Sequence, residues 1–211
     1  METTRIAELL QPYLLASLGA DELEAVRAYL DLLVRWNAKT NLTAVRDPEE
    51  MVRRHFGESF FAAACLIAQE SPQTAIDLGS GAGFPGVPLA IYAPQVAVTL
   101  VESQNKKATF LKEVVRRLSL KNVKVVAARG EVLREKNVKA NLVTMRAVER
   151  FAASAALAAT LLQPDGRLAL LIGAAQSEEA VRHLPGLAWQ NPIEMPGGTV
   201  RVLLVGRARL E

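Results

Sequence analysis

Asp77-Leu78-Gly79-Ser80-Gly81-Ala82-Gly83-Phe84-Pro85-Gly86 is the stretch on which the architecture turns. It follows a short β-favouring run, Thr74–Leu78, and leads towards an apolar segment with helical character. Glycine accepts positive φ and lets a backbone come close to a ligand, so this spacing marks a loop built for close approach. Its residues support two ligand readings. Gly81 to Gly86 fits G-x-G-x-x-G, which lays a pyrophosphate on a helix N-terminus. Gly79, Gly81 and Gly83 also alternate behind an acid, Asp77, two residues upstream. A tight turn with no ligand would use the same residues.

Working outward, short β-rich runs alternate with helical ones. The pattern predicts strands at 74–78, 96–102, 123–127, 141–145, 167–172 and 199–205. Between the second and third, Ala108, Leu111, Val115 and Leu118 share one helical face. Alternating strands and helices imply a parallel sheet covered on both faces, with ligands at the carboxyl ends of its strands. The last strands follow without a clear helix between them, which predicts a terminal antiparallel hairpin. Upstream, residues 1–70 read as helices. Leu23, Val26, Leu30, Leu33 and Val34 recur at helical spacing after Asp21, an expected N-cap. Asp47-Pro48-Glu49-Glu50 reads as another helix start, running through His55 to about Ala68. Ser71-Pro72 marks the change of regime, so the expected division is a helical extension over 1–70 and the main domain over 71–211.

The second strand ends in Glu102, 23 residues after Gly79. A carboxylate there can accept hydrogen bonds from both hydroxyls of a ribose. That suits either a dinucleotide or another nucleoside ligand. Phe84-Pro85 is awkward for a cradle that must wrap two phosphates.

The chain has 211 residues, 50% hydrophobic and 22% charged, which excludes a disordered chain and suffices for a core without disulfide staples. One cysteine, Cys65, cannot form an internal disulfide. With only His55 and His183 besides, no zinc-ligand spacing exists, and no metal is expected. The longest weakly polar run, 151–162, is too short to cross a bilayer, and the N-terminus is a poor signal peptide. The expectation is a cytoplasmic protein with no membrane partner. Net charge is +3, unevenly placed: 7 basic and 11 acidic residues in 1–70, against 18 and 11 in the rest. The sharpest basic cluster is Lys106, Lys107, Lys112, Arg116, Arg117, Lys121 and Lys124. Such a cluster can face phosphate or simply be a solvated helix face.

Several strings take the reading further. The alternating glycines behind Asp77 resemble motif I of the S-adenosylmethionine-dependent methyltransferases. Asn37-Ala38-Lys39-Thr40-Asn41-Leu42-Thr43-Ala44 precedes Arg54-His55 and Glu58-Ser59; then come the glycine loop with Gly-Val-Pro-Leu, Glu102-Ser103 with Lys106-Lys107, Ala128-Arg129-Gly130-Glu131, and Met145-Arg146-Ala147. In this order, over about residues 30–175, they resemble the bacterial small-subunit ribosomal RNA guanine-N7 methyltransferases, the glucose-inhibited division protein B family. The resemblance implies an α/β fold of class I methyltransferase type: a Rossmann-like sheet with a helical N-terminal extension and a terminal antiparallel hairpin. It implies S-adenosyl-L-methionine as cofactor, 16S ribosomal RNA or the small ribosomal subunit as partner, and no DNA partner. It further implies cofactor contacts at Asp77, Gly79, Gly81, Gly83 and Phe84, a ribose held by Glu102, an adenine end at Gly130 and Glu131, and an Arg146 on the cofactor and substrate side. Lys106, Lys107, Lys112, Arg116, Arg117 and Lys121 are the expected RNA-binding residues. A monomer is the default. The chain departs from the family at Ile172, where a Lys is frequent.

The chemistry fits a chain with no convincing catalytic dyad. Guanine N7 is an exposed lone pair, so no proton need be removed before attack. Alignment alone can supply on the order of 7–11 kcal/mol. His55 lies in an apolar helical run, where a structural hydrogen-bonded histidine is at least as expected as a base. Cys65, in the apolar run 61–68, reads as core and not as the nucleophile of a carbon methyltransferase. The Asn-Pro-Pro-Tyr type motif of exocyclic-amine methyltransferases is missing after the fourth strand, where Met145-Arg146-Ala147-Val148 stands. The residues leave three alternatives open: a same-fold methyltransferase acting on a small molecule or protein, a dinucleotide-dependent oxidoreductase, and a non-catalytic RNA-binding assembly factor that has kept the fold.

Overall fold

A computed structural model describes residues 1–146, 151–198 and 200–209. Helices α1 (Thr3–Leu10), α2 (Ala20–Thr40), α3 (Pro48–Met51) and α4 (Glu58–Gln69) come first. Then strands and helices alternate: β1 (Thr74–Leu78), α5 (Gly86–Tyr92), β2 (Ala97–Val101), α6 (Asn105–Arg117), β3 (Val123–Val126), α7 (Glu131–Glu135) and β4 (Ala140–Arg146). The chain closes with α8 (Phe151–Thr160), β5 (Leu162–Gly173), α9 (Ser177–His183), β6 (Leu187–Trp189), β7 (Ile193–Glu194) and β8 (Arg201–Ala208).

The sheet runs β3-β2-β1-β4-β5-β8-β6, with β7 also paired to β8. β1 to β5 are parallel, and β8 is antiparallel to both β5 and β6. Chain order reverses at β1, between β2 and β4, which is where a sheet of this kind opens a crevice. The expected antiparallel pairing of the runs at 167–172 and 199–205 is present as β5 and β8, with β8 inside the sheet and β6 at its edge. A short helix, α9, intervenes where the sequence shows no clear one.

Alternation along the strands divides the core in two. Ala169 and Leu171 face one layer with Leu203 and Val205, while Leu168, Leu170 and Ile172 face the other. The first layer is closed by α1, α2, the segment Val52–Gly57, α4, α5 and α6, through residues such as Ile6, Tyr29, Phe56, Phe60, Val87 and Phe110. The second is closed by Leu133, Ala155, Ala158 and Ala180. The N-terminal helices therefore form one wall of the sheet's own core.

Local chemistry sets the helix boundaries. α2 starts one residue before Asp21: Gly19 is its N-cap, with Glu22 accepting from the Gly19 N–H, and Asp21 lies in the acidic first turn. Asp47 does cap α3, accepting from Glu50 N at 2.8 Å. The helical run expected from there to about Ala68 is present, but Val52–Gly57 winds as wide π-type turns. Such turns are frequent where a helix carries functional side chains. Arg167 of β5 is buried and donates to the carbonyls of Leu66 at 2.9 Å and Glu70 at the end of α4. A cation on these carbonyls satisfies the helix end and its dipole.

Candidate functional site

A cleft of about 550 Å³ opens at the carboxyl ends of β1, β2 and β4. Its walls come from both halves of the chain. Leu42 to Val45, Arg54 and His55 form one side; Gly79 to Ala82, Phe84, Glu102 to Gln104, Lys107, Arg146, Ser154 and Arg201 form the other.

The glycine loop is held from behind. Gly79 and Gly81 have φ of 71° and 57°. A Cβ on Gly81 would meet only the Gly79 carbonyl, at 3.8 Å, and would otherwise point into open space. Gly83 turns the other way: a Cβ there would strike the Tyr29 hydroxyl and lie 2.9 Å from Val87. Tyr29 donates to the Ala82 carbonyl, and its ring stacks on Phe84 at 5.3 Å. Phe84 also packs edge-on against Phe56 at 5.0 Å and near His55 at 5.1 Å. Phe84 thus borders the cleft while most of its ring belongs to an aromatic cluster.

Asp77 is fully buried and does not reach the cleft wall. Its Oδ1 accepts from Thr144 at 2.8 Å and its Oδ2 from Gly86 N at 3.3 Å, tying β1 to β4 and to the first turn of α5. Burial raises its pKa from 3.8 to about 6. Glu102, 5% exposed, accepts from Gly81 N at 2.9 Å through Oε2 and from Gln104 N at 2.7 Å through Oε1. Two backbone amides therefore aim the carboxylate, and each oxygen keeps a further lone-pair direction.

His55 is neutral. Burial and the nearby Arg146, Arg54 and Arg201 push its pKa down to about 3. Arg146 Nη2 lies 3.2 Å from its Nδ1, and a guanidinium can only donate, so Nδ1 accepts. The proton then sits on Nε2, 2.7 Å from the Thr43 hydroxyl. Both ring nitrogens are engaged, as a structural, hydrogen-bonded histidine requires. Arg146, buried, also donates to the Arg54 carbonyl at 2.7 Å and pairs with Glu58 at 3.0 Å; burial lowers its pKa to about 10, so it stays cationic at neutral pH.

The structure thus brings Gly79, Gly81, Phe84, Glu102 and Arg146 to one cleft, with Lys107 at its rim. Gly130 and Glu131 are outside the lining. Gly130 is buried, and a Cβ would meet Leu78 at 2.6 Å and Leu157 at 2.9 Å; Glu131 is exposed. The basic residues of α6 diverge. Lys112 and Arg116 share the outward face, Arg117 lies towards α2, Lys106 is exposed at the start of the helix, and Lys121 follows it. Ala147 of the Met-Arg-Ala string lies outside the described residues, as do Val148 and Thr199. Cys65 is half-buried in α4, its thiol pKa raised by burial. Among the described residues, no group of three or more His, Cys, Asp or Glu could hold a metal, and no helix is long and apolar enough to cross a membrane. Sequence reading missed Arg201, which reaches the cleft from the last strand.

The residues present fit an adenosyl ligand with no pyrophosphate: an oriented carboxylate at the second strand end, an open glycine at the loop, and an aromatic beside it. The sheet order with its antiparallel β8, together with this cleft, defines a class I S-adenosylmethionine-dependent methyltransferase. Solved structures of this kind superpose well: a cofactor-bound Rv0187 from MTB gives a TM-score of 0.63 at 17% identity, covering 93% of each chain. A T. Thermophilus 16S rRNA N2 G1207 methyltransferase (RsmC) in complex with AdoMet and guanosine gives 0.57 at 18% identity, covering 72% of this chain and 43% of that one. At these identities the likeness shows the fold. Residues 22–191 match GidB, rRNA small subunit methyltransferase G, and the chain belongs to that family. The "Ribosomal RNA small subunit methyltransferase G" of Xanthomonas campestris pv. campestris (strain B100) is 43% identical over 185 residues, 86% of this chain and 84% of that protein. That of Stenotrophomonas maltophilia (strain K279a) is 43% identical over 189 residues, 87% and 86%.

Proposed function

We propose that this protein transfers a methyl group from S-adenosyl-L-methionine to N7 of a guanine in 16S ribosomal RNA. Membership of the GidB family over residues 22–191 carries the reading, and the cleft beside Glu102 is where the transfer would occur. When bound, S-adenosylmethionine supplies a methyl on a cationic sulfur, which leaves as a thioether while the N7 lone pair forms the new carbon–nitrogen bond.

The protein's own work is alignment. Glu102 would hold both ribose hydroxyls, since its oxygens are already aimed by Gly81 and Gln104. Gly79 and Gly81 would let the loop backbone lie against the ligand, and Phe84 would border it. Asp77 and Gly83 would act through the loop's shape. Gly130 and Glu131 would bound the adenine end; β3 pairs with β2, and Glu102 N donates to the Val126 carbonyl, so the turn after β3 follows the strand beside Glu102. Arg146 would stand on the substrate side. No group need act as a base, which agrees with a His55 whose two nitrogens are occupied.

A guanine N7 is reached in a loop, a bulge or a splayed strand, because A-form RNA hides its major groove. Lys106, Lys107, Lys112, Arg116, Arg117 and Lys121 would contribute phosphate contacts, with Lys107 nearest the chemistry. We propose further that residues 1–70 and 71–211 work as one catalytic body, that the protein acts as a monomer in the cytoplasm where ribosomal subunits are assembled, and that it has no membrane or DNA partner.

The test is methyl transfer from labelled S-adenosylmethionine to 16S RNA, naked and in small subunits from cells lacking this protein, followed by nucleoside separation. Label in 7-methylguanosine is expected. No label on either form, with S-adenosylhomocysteine still bound, would overturn the RNA assignment and leave only the cofactor.

A further inference from the structure

Glu58, the first residue of α4, lies between the helical layer and the sheet with 1% of its side chain exposed. Its Oε2 is 3.0 Å from Nη2 of Arg146, at the end of β4, and 3.1 Å from Nε of Arg201, at the start of β8. Neither Glu58 oxygen completes a hydrogen bond among the described residues, so the attraction is charge to charge, and Oε1 faces no partner among them. A buried carboxylate is costly, and an apolar residue often serves stability as well or better. The layer is already fastened without it, by the apolar core and by Arg167 on the end of α4.

The two cations depend on Glu58 unequally. Arg146 is also held by the carbonyls of Arg54 at 2.7 Å and His55 at 3.4 Å, and by the His55 ring. For Arg201, Glu58 is the one partner among the described residues. Both arginines line the cleft, and both line a smaller cavity of about 80 Å³ beyond the ends of β4 and β5, with Phe151, Ile172 and Gln176. Arg201 therefore stands at the junction of the two spaces, its Nε beside Glu58 without completing a hydrogen bond, and its terminal nitrogens available to a ligand.

We propose that Glu58 is a positioning residue for methyl transfer: its buried charge, 3.1 Å from Nε, draws the Arg201 guanidinium to this place, where the two terminal nitrogens can meet an acceptor oxygen of the RNA, on the base edge or the phosphate. The inference rests on reading the cleft as the site of methyl transfer to RNA. A guanidinium offers only donors, so it meets a carbonyl or phosphate oxygen and not an exocyclic amine. Without Glu58 the side chain keeps its charge and loses its direction.

The test uses the full chain with small subunits or 16S RNA from cells lacking the activity. Glu58→Gln keeps the shape and removes the charge. It should lower kcat/KM for RNA by roughly 10- to 100-fold, the scale of a displaced positioning group. S-adenosylhomocysteine affinity should stay within about twofold, because the loop and Glu102 are untouched. Glu58→Asp should fall between Gln and wild type. Adding Glu58→Gln to Arg201→Gln should cost no more than about a further twofold, whereas a merely structural Glu58 would give the full product of the two losses. A salt slope lower by about 1 in the Arg201→Gln protein would place the oxygen on a phosphate, and an unchanged slope on the base. Wild-type kinetics in Glu58→Gln, or full multiplication in the double variant, overturns the proposal. Should Glu58→Gln fail to fold, Glu58→Asp decides: reduced kcat/KM with unchanged cofactor affinity supports the role, and wild-type kinetics overturns it. A wild-type protein that transfers no methyl to RNA would instead sink the underlying reading.

Discussion

Replacing Glu102 by alanine should weaken S-adenosylhomocysteine binding by about 1–3 kcal/mol, roughly 5- to 150-fold in Kd. The magnitude follows from the carboxylate's surroundings. Its oxygens accept from Gly81 N at 2.9 Å and Gln104 N at 2.7 Å, leaving one acceptor direction each for the two ribose hydroxyls. At 5% exposure the group is weakly screened, so bonds to it are of the charged kind. The released hydroxyls would regain water in the open cleft, which keeps the loss below the sum of two such bonds. Alanine also frees two backbone amides, costing about 1–2 kcal/mol of stability. Titration calorimetry should therefore be run well below the melting temperature of the variant. Glu102→Gln sharpens the test. An amide presents a donor where one of those backbone N–H groups also donates, whichever way it is flipped, so Gln should bind no better than Ala. Wild-type affinity in a folded Ala variant, or in the Gln variant, would refute the ribose assignment.

Other expectations follow from the same geometry. His55 has a folded pKa of about 3 against an ordinary 6.5, so the unfolded chain takes up its proton first; His55 costs no stability above pH 6.5 and progressively more as pH falls towards 3. Its ring nitrogen shifts in NMR should not move between pH 5 and 8, and a titration there would mean a different packing. Asp77, raised from 3.8 to about 6, works in the opposite sense: the folded state holds its proton more tightly, so this group's contribution improves as pH falls from about 6 towards 4. The stability difference between wild type and Asp77→Asn should move in favour of wild type over that window, by roughly 3 kcal/mol at most; a flat difference in chemical denaturation would count against a buried, partly neutral Asp77. Charge reversal at Lys112 and Arg116, which share the outer face of α6, should weaken RNA binding and reduce its salt slope by about 1 for each phosphate no longer neutralised. Unchanged slope and affinity would move the RNA surface off that face.

The legible features were those coded within one turn or one strand. The glycine loop after β1 announces itself because the positive φ at Gly79, Gly81 and Gly83 demands glycine locally. Glu102 follows from it, since a second parallel strand must end beside the loop. Helix starts are coded locally too, yet small errors enter. Asp21 looks like a cap, but Gly19 takes the role because Glu22 can reach back to its amide. α9 escapes notice because Ser177–His183 buries only Ala180, too little for an apolar stripe. The charge network was illegible for another reason. Glu58, Arg146 and Arg201 lie far apart in sequence and meet only because β8 inserts beside β5. Gly130 shows the converse: a glycine that stands out in the sequence for a site and that packing against Leu78 and Leu157 already requires.

The helical extension matters to the chemistry because alignment is all that this reaction asks of the protein. A loop of glycines has no stiffness of its own, and glycine loses more conformational freedom on ordering than any other residue. Tyr29 of α2 supplies the stiffness, bonding the Ala82 carbonyl and stacking on Phe84. Phe56 and His55, from the wide-turned segment before α4, press on Phe84 from other sides. The same segment offers its carbonyls to Arg146. The π-type winding over Val52–Gly57 spreads these groups over more backbone per turn than an α-helix would. One short segment thereby steadies the loop and Arg146 together. The two sides of the cleft are fixed to a common element, so any shift of the helical layer moves the glycine loop and Arg146 at once. In a reaction without a base to tune, that shared support is where precision can be built in.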